Sequence, residues 1–245
     1  MKRLLFLGVL LILLSSTAAF AWTEYYDGSA LPTFVDPWWE DNNGGSVSVG
    51  SGIITCSSGS GWYEAGISCG GENSLPGIPT MVVGSRFKVN SMGGSGLSLI
   101  LTSVGADQPS APLGIGVIAN GHLALTNFAG VPGEGTNQPI TLVDLGAVDS
   151  AWHTAYLLSG ASGVWQACVD GELYSGVMDT NDWSEAVGYA SFAADSYWAN
   201  TRAISTSFDW FAYGDETNMV IPEPGSLVAL GCGLIGLLGA IRRRR

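Results

Sequence analysis

Hydrophobic positions between Trp22 and Tyr213 follow no sustained 3.6-residue period. Instead, short runs rich in branched and aromatic residues are separated by Gly, Pro, Asn and Asp, a pattern typical of strands joined by turns. We predict strands at 46–55, 61–68, 80–90, 96–103, 113–119, 122–128, 139–145, 152–158, 164–170, 172–177, 187–192 and 204–214. This regular spacing favours an all-β fold, an antiparallel β-sandwich or jelly roll.

Two hairpin turns can be placed from the sequence. Asp170-Gly171 is a two-residue signal for a type I′ turn, which requires positive φ at both positions. A second turn is predicted at Asn120-Gly121. In the strand before Asp170, side chains alternate between the two faces of the sheet. One face carries Val164, Gln166 and Cys168, and the opposite face carries Trp165, Ala167 and Val169.

Several segments of the body resemble one family. "GSRFKV", "WHT", a Trp-containing strand ending in "VDG" and a late "FDWFAYG" resemble the concanavalin A-like lectin/glucanase fold, especially its laminin-G-like branch. The resemblance implies a β-sandwich whose final strand, near Phe208–Gly214, pairs close to the N-terminal strand. No repeat or long linker divides the body, so we predict one domain at 22–214, followed by a linker at 215–221.

The N-terminus has the three parts of a secretory signal peptide. A short basic start precedes an apolar stretch from Leu4 to Leu14, and Ala19-Phe20-Ala21 provides a small-residue cleavage site. We therefore predict a signal peptide at 1–21 and a mature chain that begins at Trp22.

The C-terminus carries a second apolar segment, 227–241, which we predict to be a transmembrane helix. At roughly 1.5 Å per residue it spans about 22 Å, less than the roughly 30 Å hydrocarbon core of a bilayer. The arginines behind it remain cytoplasmic by the positive-inside rule. A plain C-terminal anchor is one interpretation of this segment.

The whole segment 222–245 also resembles the PEP-CTERM sorting signal of exosortase substrates in Gram-negative bacteria. The residues that carry the resemblance are Pro222, Glu223 and Pro224 before the apolar run, and Arg242, Arg243, Arg244 and Arg245 after it. The resemblance implies transient anchoring in the inner membrane, removal of the tail by an exosortase, and delivery to the cell surface or an exopolysaccharide matrix.

Charge is distributed unevenly along the chain. The full sequence has a formal net charge of −12. Between Trp22 and Val220 there are three basic and 20 acidic residues, which gives that segment a charge of −17. Nucleic-acid binding is excluded for such a body because phosphate neutralisation requires clustered Lys and Arg.

Catalytic motifs are weak, and we predict that the protein is not an enzyme. The E-x-D-x-x-E triplet, which supplies paired carboxylates in retaining glucanases of this fold, is absent. Asp170-Gly-Glu172 belongs to a turn, and Asp182-Trp-Ser-Glu185 lies in a predicted loop. Gly66-Ile67-Ser68-Cys69-Gly70 matches G-x-S-x-G, but a loop rather than a helix is predicted after it. A divergent glycoside hydrolase or lyase is the enzymatic alternative.

Oxygen ligands cluster in "DTNDWSE". Asp179, Asn181, Asp182 and Glu185 are hard-cation ligand types within one short segment, so a Ca²⁺ site is one interpretation and a solvated acidic loop is the other. The first would suit a Ca²⁺-dependent adhesion module. No other cofactor is predicted, and zinc lacks a ligand set.

Cysteines and loop aromatics complete the candidate residues. In an oxidising compartment a disulfide between Cys56 and Cys69 is plausible, although two free thiols are the alternative. Aromatic residues beside Gly, Asp or Asn are candidates for stacking on sugar rings, with packing inside the fold as the alternative. They are Trp38, Trp39, Trp62, Trp183 and Trp198. We therefore expect an exported, non-enzymatic protein with a structural or carbohydrate-binding role, whose partners are exosortase and extracellular polysaccharide or cell-surface components.

Overall fold

The computed structural model describes residues 24–26, 38–41, 44–59, 64–70, 81–94, 98–104, 113–127, 140–160, 163–177, 189–195 and 203–215. These residues form two β-sheets. Sheet A contains β1 Glu24–Tyr26, β3 Ser46–Gly50, β4 Ile53–Ser58, β6 Met81–Gly93, β11 His153–Ser159, β12 Val164–Val169, β13 Glu172–Val177 and β15 Ala203–Asp215. Sheet B contains β2 Trp38–Asp41, β5 Glu64–Gly70, β7 Ser98–Val104, β8 Leu113–Val117, β9 His122–Asn127, β10 Ile140–Ala147 and β14 Tyr189–Asp195.

All the strand pairs are antiparallel. Sheet A has the order β13-β12-β11-β6-β15-β4-β3, with β1 also paired to β15, and sheet B has the order β10-β9-β8-β7-β14-β5-β2. The predicted all-β antiparallel sandwich is thus confirmed. Among the described residues there is no helix with the length and hydropathy needed to cross a bilayer. The predicted helix 227–241, like the signal peptide 1–21, lies outside them.

The longest pairing joins β6 and β15 at the centre of sheet A, from Ala203 opposite Gly93 to Asp215 opposite Met81. The C-terminal half of β15 also pairs with β1, with Glu24 opposite Tyr213. The final strand therefore returns beside the N-terminal strand, as the family resemblance implied.

One predicted strand is wrong. The stretch 46–55 is a hairpin of β3 and β4, because Ser51 and Gly52 have φ values of 54° and 77° and turn the chain. A serine with positive φ is uncommon, which is why the pattern alone did not reveal the turn. Strands β1 and β2 were not predicted, since each is very short.

The other two hairpins match their predictions. Asp170 and Gly171 have φ values of 50° and 87°, as a type I′ turn requires. At the second hairpin Gly121 has φ of 83°, and its amide donates to the carbonyl of Ile118. The first four side chains of β12 alternate as predicted, because Trp165 and Ala167 are buried whereas Val164 and Gln166 are exposed. Cys168 is buried although it was predicted to share the face of Val164 and Gln166.

The hydrophobic core lies between the two sheets. The Phe192 ring of sheet B packs against Phe208 and Phe211 of sheet A, with centroids 4.9 and 4.6 Å apart. Two buried hydroxyls also link the sheets: Ser103 donates to the Met81 carbonyl at 3.0 Å and Thr206 donates to the Ala193 carbonyl at 2.9 Å. Apolar burial and satisfied polar groups therefore hold the sheets together.

Candidate functional site

A cleft of about 240 Å³ opens between one edge of each sheet. Its polar walls come from the end of β10 and from the β11–β13 region, and its apolar floor comes from core side chains. The residues that line it are Val89, Leu123, Leu145, Ala147, Val148, Asp149, His153, Val169, Asp170, Glu172 and Tyr174. Ligand pockets typically hold roughly 300–1,000 Å³, so this cleft suits one small ring rather than a long segment.

Two backbone features bring these residues together. The chain passes from sheet B to sheet A between β10 and β11, and the Val148 amide donates to the Gly121 carbonyl at 3.1 Å. Asp149 then accepts the Ala151 amide at 2.7 Å, which forms a compact turn before β11. On the opposite wall, the type I′ turn places Asp170 and Glu172 at the mouth of the cleft.

His153 occupies the centre of the polar wall. Its Nδ1 lies 2.7 Å from Asp170 Oδ2 and its Nε2 lies 3.2 Å from Asp149 Oδ1. The side chain is only 16% exposed, and its ring centroid is 5.7 Å from that of Phe87. A carboxylate only accepts hydrogen bonds, so both contacts are hydrogen bonds at once only when both ring nitrogens carry a proton.

Asp170 also forms two hydrogen bonds with the backbone of Thr154 in β11. Its second oxygen accepts the Thr154 amide at 2.8 Å, and its own amide donates to the Thr154 carbonyl at 2.8 Å. One carboxylate therefore fixes the turn, the start of β11 and the orientation of His153. The sequence marked this residue only as part of a turn.

Tyr174 and Glu172 form the third polar group of the cleft. The Tyr174 hydroxyl donates to Glu172 Oε2 at 2.7 Å. The pKa of Tyr174 is raised to about 12, chiefly by this hydrogen bond and to a smaller extent by desolvation. The tyrosine is thus neutral at ordinary pH, and its oxygen can accept a hydrogen bond from a ligand.

The second histidine lies outside the cleft lining. His122 Nδ1 contacts both Asp144 carboxylate oxygens at 2.9 Å, on the exposed surface of β9 and β10. The pKa of the Asp144 carboxyl is lowered, chiefly by the hydrogen bond from the Gly146 amide and to a smaller extent by the hydrogen bond from His122. This pair resembles the His153–Asp170 pair in chemistry but lines no part of the cleft.

Two of the three basic residues of the body lie together on the outer face of sheet A. Arg86 Cζ and Lys88 Nζ lie 5.1 and 5.3 Å from the centroid of the Trp152 ring. Arg86 also pairs with Asp209 at 2.6 Å. Since the ring contacts both cations, Trp152 stabilises this face by cation–π contacts.

The G-x-S-x-G match lies within β5 and does not form a nucleophile elbow. Its residues continue in register with β14, from Gly66 opposite Ala193 to Gly70 opposite Tyr189. An elbow needs a sharp turn from a strand into a helix. The motif is therefore a strand segment.

Most of the candidate residues predicted from sequence lie outside the described part of the chain. This applies to Trp62, Asp179, Asn181, Asp182, Trp183, Glu185, Trp198, Pro222, Glu223, Pro224 and Arg242–Arg245. Trp38 and Trp39 belong to β2, opposite Cys69 and Ser68 of β5. Within the described ranges, no group of three or more His, Cys, Asp or Glu side chains could hold a metal ion.

The predicted disulfide remains a prediction. Cys56 is buried in β4 of sheet A, and Cys69 lies in β5 of sheet B. The third body cysteine, Cys168, is buried in β12, and burial raises the pKa of its thiol.

Sequence reasoning missed the cleft because its polar residues come from separate segments. Asp149, His153 and Glu172 belong to no common sequence motif. The one available signal was the density of acidic and aromatic residues around the Asp170-Gly171 turn. The turn alone accounts for those residues, so they did not indicate a site.

Comparisons with known proteins support the fold. The structure is similar to a Bacillus licheniformis beta-glucanase, with a TM-score of 0.52, 14% identity, and coverage of 79% of this chain and 98% of that chain. It is also similar to the cellulose induced protein Cip1, with a TM-score of 0.50, 14% identity, and coverage of 78% and 96%. A third similar structure is the CBM2 module of the evolved Dit of Lactobacillus casei BL23 phage J-1. Its TM-score is 0.50 and its sequence identity is 12%, and the match covers 78% of this chain and 94% of that chain. No family model and no curated protein sequence matches the chain. The described part of the chain therefore has an antiparallel β-sandwich fold of the type found in the beta-glucanase.

Proposed function

We propose that this chain is an exported carbohydrate-binding protein and that the cleft at His153 is its sugar site. The observation that carries the proposal is the convergence of hydrogen-bonding groups above an apolar floor. Sugar rings present hydroxyl groups around a partly apolar ring, and such a cleft complements both. The carboxylates can accept hydrogen bonds from sugar hydroxyl groups, and the Tyr174 oxygen can accept another.

The charge of the cleft selects the class of glycan. Asp149, Asp170 and Glu172 all contribute carboxylates to a small volume, with one histidine between them. A uronate or sulfated sugar would place like charges together, whereas an uncharged sugar would not. We therefore expect uncharged oligosaccharides as ligands.

Binding without catalysis is part of the proposal. Retaining glucanases of this fold use the paired carboxylates of an E-x-D-x-x-E triplet, and that triplet is absent from the sequence. The full-length chain should bind uncharged glucans and release no reducing ends from them. Depolymerisation that is lost in Asp170→Asn would replace this proposal by the hydrolase alternative.

Asp170→Asn and Asp144→Asn form a matched test of the site. Each replaces a carboxylate that contacts a histidine Nδ1, but only Asp170 lines the cleft. Hydrogen bonds to charged groups contribute about 1.5–3 kcal/mol, so Asp170→Asn should weaken glycan binding by about tenfold or more. Asp144→Asn should leave the affinity unchanged. Equal affinities for the two variants on a glycan array and by calorimetry would refute the cleft as the site.

We further propose that the protein is sorted to the cell surface or exopolysaccharide matrix by an exosortase. The support is the Pro222-Glu223-Pro224 triplet, the apolar run and the terminal arginines. In a Gram-negative host that has an exosortase, the surface fraction should lack the tail. A Glu223→Ala variant should instead retain the tail and stay in the inner membrane. Mass spectrometry of an intact C-terminus in the surface fraction of the parent would contradict the sorting proposal.

A further inference from the structure

Strand β13 ends sheet A on the side next to the cleft. Within the described residues it pairs only with β12, from Val164 opposite Val177 to Val169 opposite Glu172. The two-residue turn makes Val169 and Glu172 a hydrogen-bonded pair, and hydrogen-bonded pairs alternate along an antiparallel ladder. The backbone N–H and C=O groups of Leu173, Ser175 and Val177 therefore point away from β12.

Within the described residues, this edge lacks the bulges, lysines and prolines that often prevent strand pairing. The other cleft edge, β10, has register shifts between Thr141 and Val143 and between Asp144 and Gly146. The β12–β13 register is continuous, and β13 contains neither Lys nor Pro. A regular edge without such protection is a template for another strand.

The outward side chains of β13 and its neighbour are apolar and exposed. Leu173 is 50% exposed, Val177 is 73% exposed, and Val164, opposite Val177, is 43% exposed. Cross-strand apolar pairs stabilise a sheet when they lie on one face. The apolar strip and the unpaired backbone groups thus occur on the same strand.

We propose that β13 pairs antiparallel with β13 of a second copy of this chain, so that sheet A continues through a two-fold axis. In the register centred on Ser175, Ser175 lies opposite Ser175 of the second copy and Leu173 lies opposite Val177. All three outward-pointing residues on each strand are then paired, which gives six backbone hydrogen bonds. A register centred on Leu173 or Val177 would pair fewer of them.

Charge and position are consistent with this isologous contact. Glu172 lies outside the three paired positions, so no carboxylate directly opposes another in the seam. The −17 charge of the body opposes association at long range, and salt screens it beyond about 10 Å at 0.1 M. Dimerisation should therefore strengthen as salt is added, unlike contacts held by ion pairs.

Lysine substitutions test the seam in the full-length chain in detergent micelles. Ser175→Lys places two like charges directly opposite each other and should abolish the dimer. Gln166→Lys is the control, because Gln166 is the exposed partner of Ser175 on β12 and lies outside the seam. Sedimentation should give a dimer for the parent and Gln166→Lys and a monomer for Ser175→Lys, and circular dichroism should show the same strand content in the two variants. A dimer that persists in Ser175→Lys overturns the proposal.

A disulfide trap tests the register itself. Hydrogen-bonded pairs have Cα atoms about 5.5 Å apart, within the range of about 4.4–6.8 Å that a disulfide spans. Ser175→Cys should form a 175–175 link under mild oxidation, identified by peptide mapping. Ser48→Cys, on the exposed face of β3, should not form a 48–48 link. The absence of a 175–175 link in Ser175→Cys would overturn the two-fold pairing.

Discussion

Gly116 is a position where an added methyl group should be poorly tolerated. It lies in the fully buried strand β8, opposite Leu99, where β7 has a register shift between Leu99 and Leu101. A Cβ built on Gly116 would collide with the carbonyl oxygen of Ser98 and would lie 3.2 Å from Leu99 Cα. Both obstacles are backbone atoms, so no side-chain rotation relieves them.

The magnitude follows from two opposing effects. Overpacking a well-packed interior costs about 1–3 kcal/mol, and replacing Gly by Ala returns about 0.4–1 kcal/mol by restricting the unfolded chain. We expect Gly116→Ala to lower the free energy of unfolding by about 1–2 kcal/mol, because the gain offsets only part of the cost. For a domain of this size, that corresponds to a Tm lowered by roughly 2–8 °C.

Gly50→Ala is the matched control, since a Cβ built on Gly50 in β3 meets nothing within 4 Å. It should leave Tm unchanged or raise it by a few degrees, about 1–4 °C by the same conversion. Urea and thermal unfolding, followed by tryptophan fluorescence, would measure both variants. If Gly116→Ala is as stable as Gly50→Ala, the close approach of β7 and β8 described above is wrong.

Three further predictions concern the cleft and its surroundings. The pKa of Tyr174 is raised from 10.0 to about 12, so the folded state holds its proton more tightly and stability should fall as pH rises from about 10 to 12. Tyr174→Phe should lack this part of the fall in pH-dependent unfolding. Gly171→Ala places a side chain at a backbone φ of 87°, so it should lower the free energy of unfolding by about 1 kcal/mol or more. Because the strain displaces the neighbouring Asp170, the variant should also bind glycan more weakly. Unfolding experiments and calorimetry would measure the two effects. Because burial raises the pKa of the Cys168 thiol, iodoacetamide should label it only after unfolding; labelling of the native protein at neutral pH would contradict its buried position.

The sequence predicted the strands well where apolar residues alternate between strong turn signals. The β12–β13 hairpin is the best example, because Asp170-Gly171 fixes both its turn and its register. The β3–β4 turn was missed because Ser51 adopts a conformation that serine rarely takes. Such a conformation is stabilised by the surrounding pairing, which local propensity does not report.

The cleft was less predictable than the fold for a physical reason. His153 is positioned by Asp170, which follows it in the chain, and by Asp149, which precedes it. These contacts form only when the β10–β11 crossover and the β12–β13 turn meet at one end of the sandwich. No local pattern encodes that meeting, so the residues were visible only as a turn and an isolated histidine.

The position of β15 has a mechanical consequence. Its C-terminal residue, Asp215, is the last described position before the tail, and the strand is held along its length by β6 and near its end by β1. A pull through the following chain, directed along β15, loads many ladder hydrogen bonds together instead of opening them one at a time. Resistance to force is set by the unfolding rate and not by the equilibrium free energy. We therefore expect single-molecule pulling on the chain that follows β15 to meet a higher rupture force than pulling on β13.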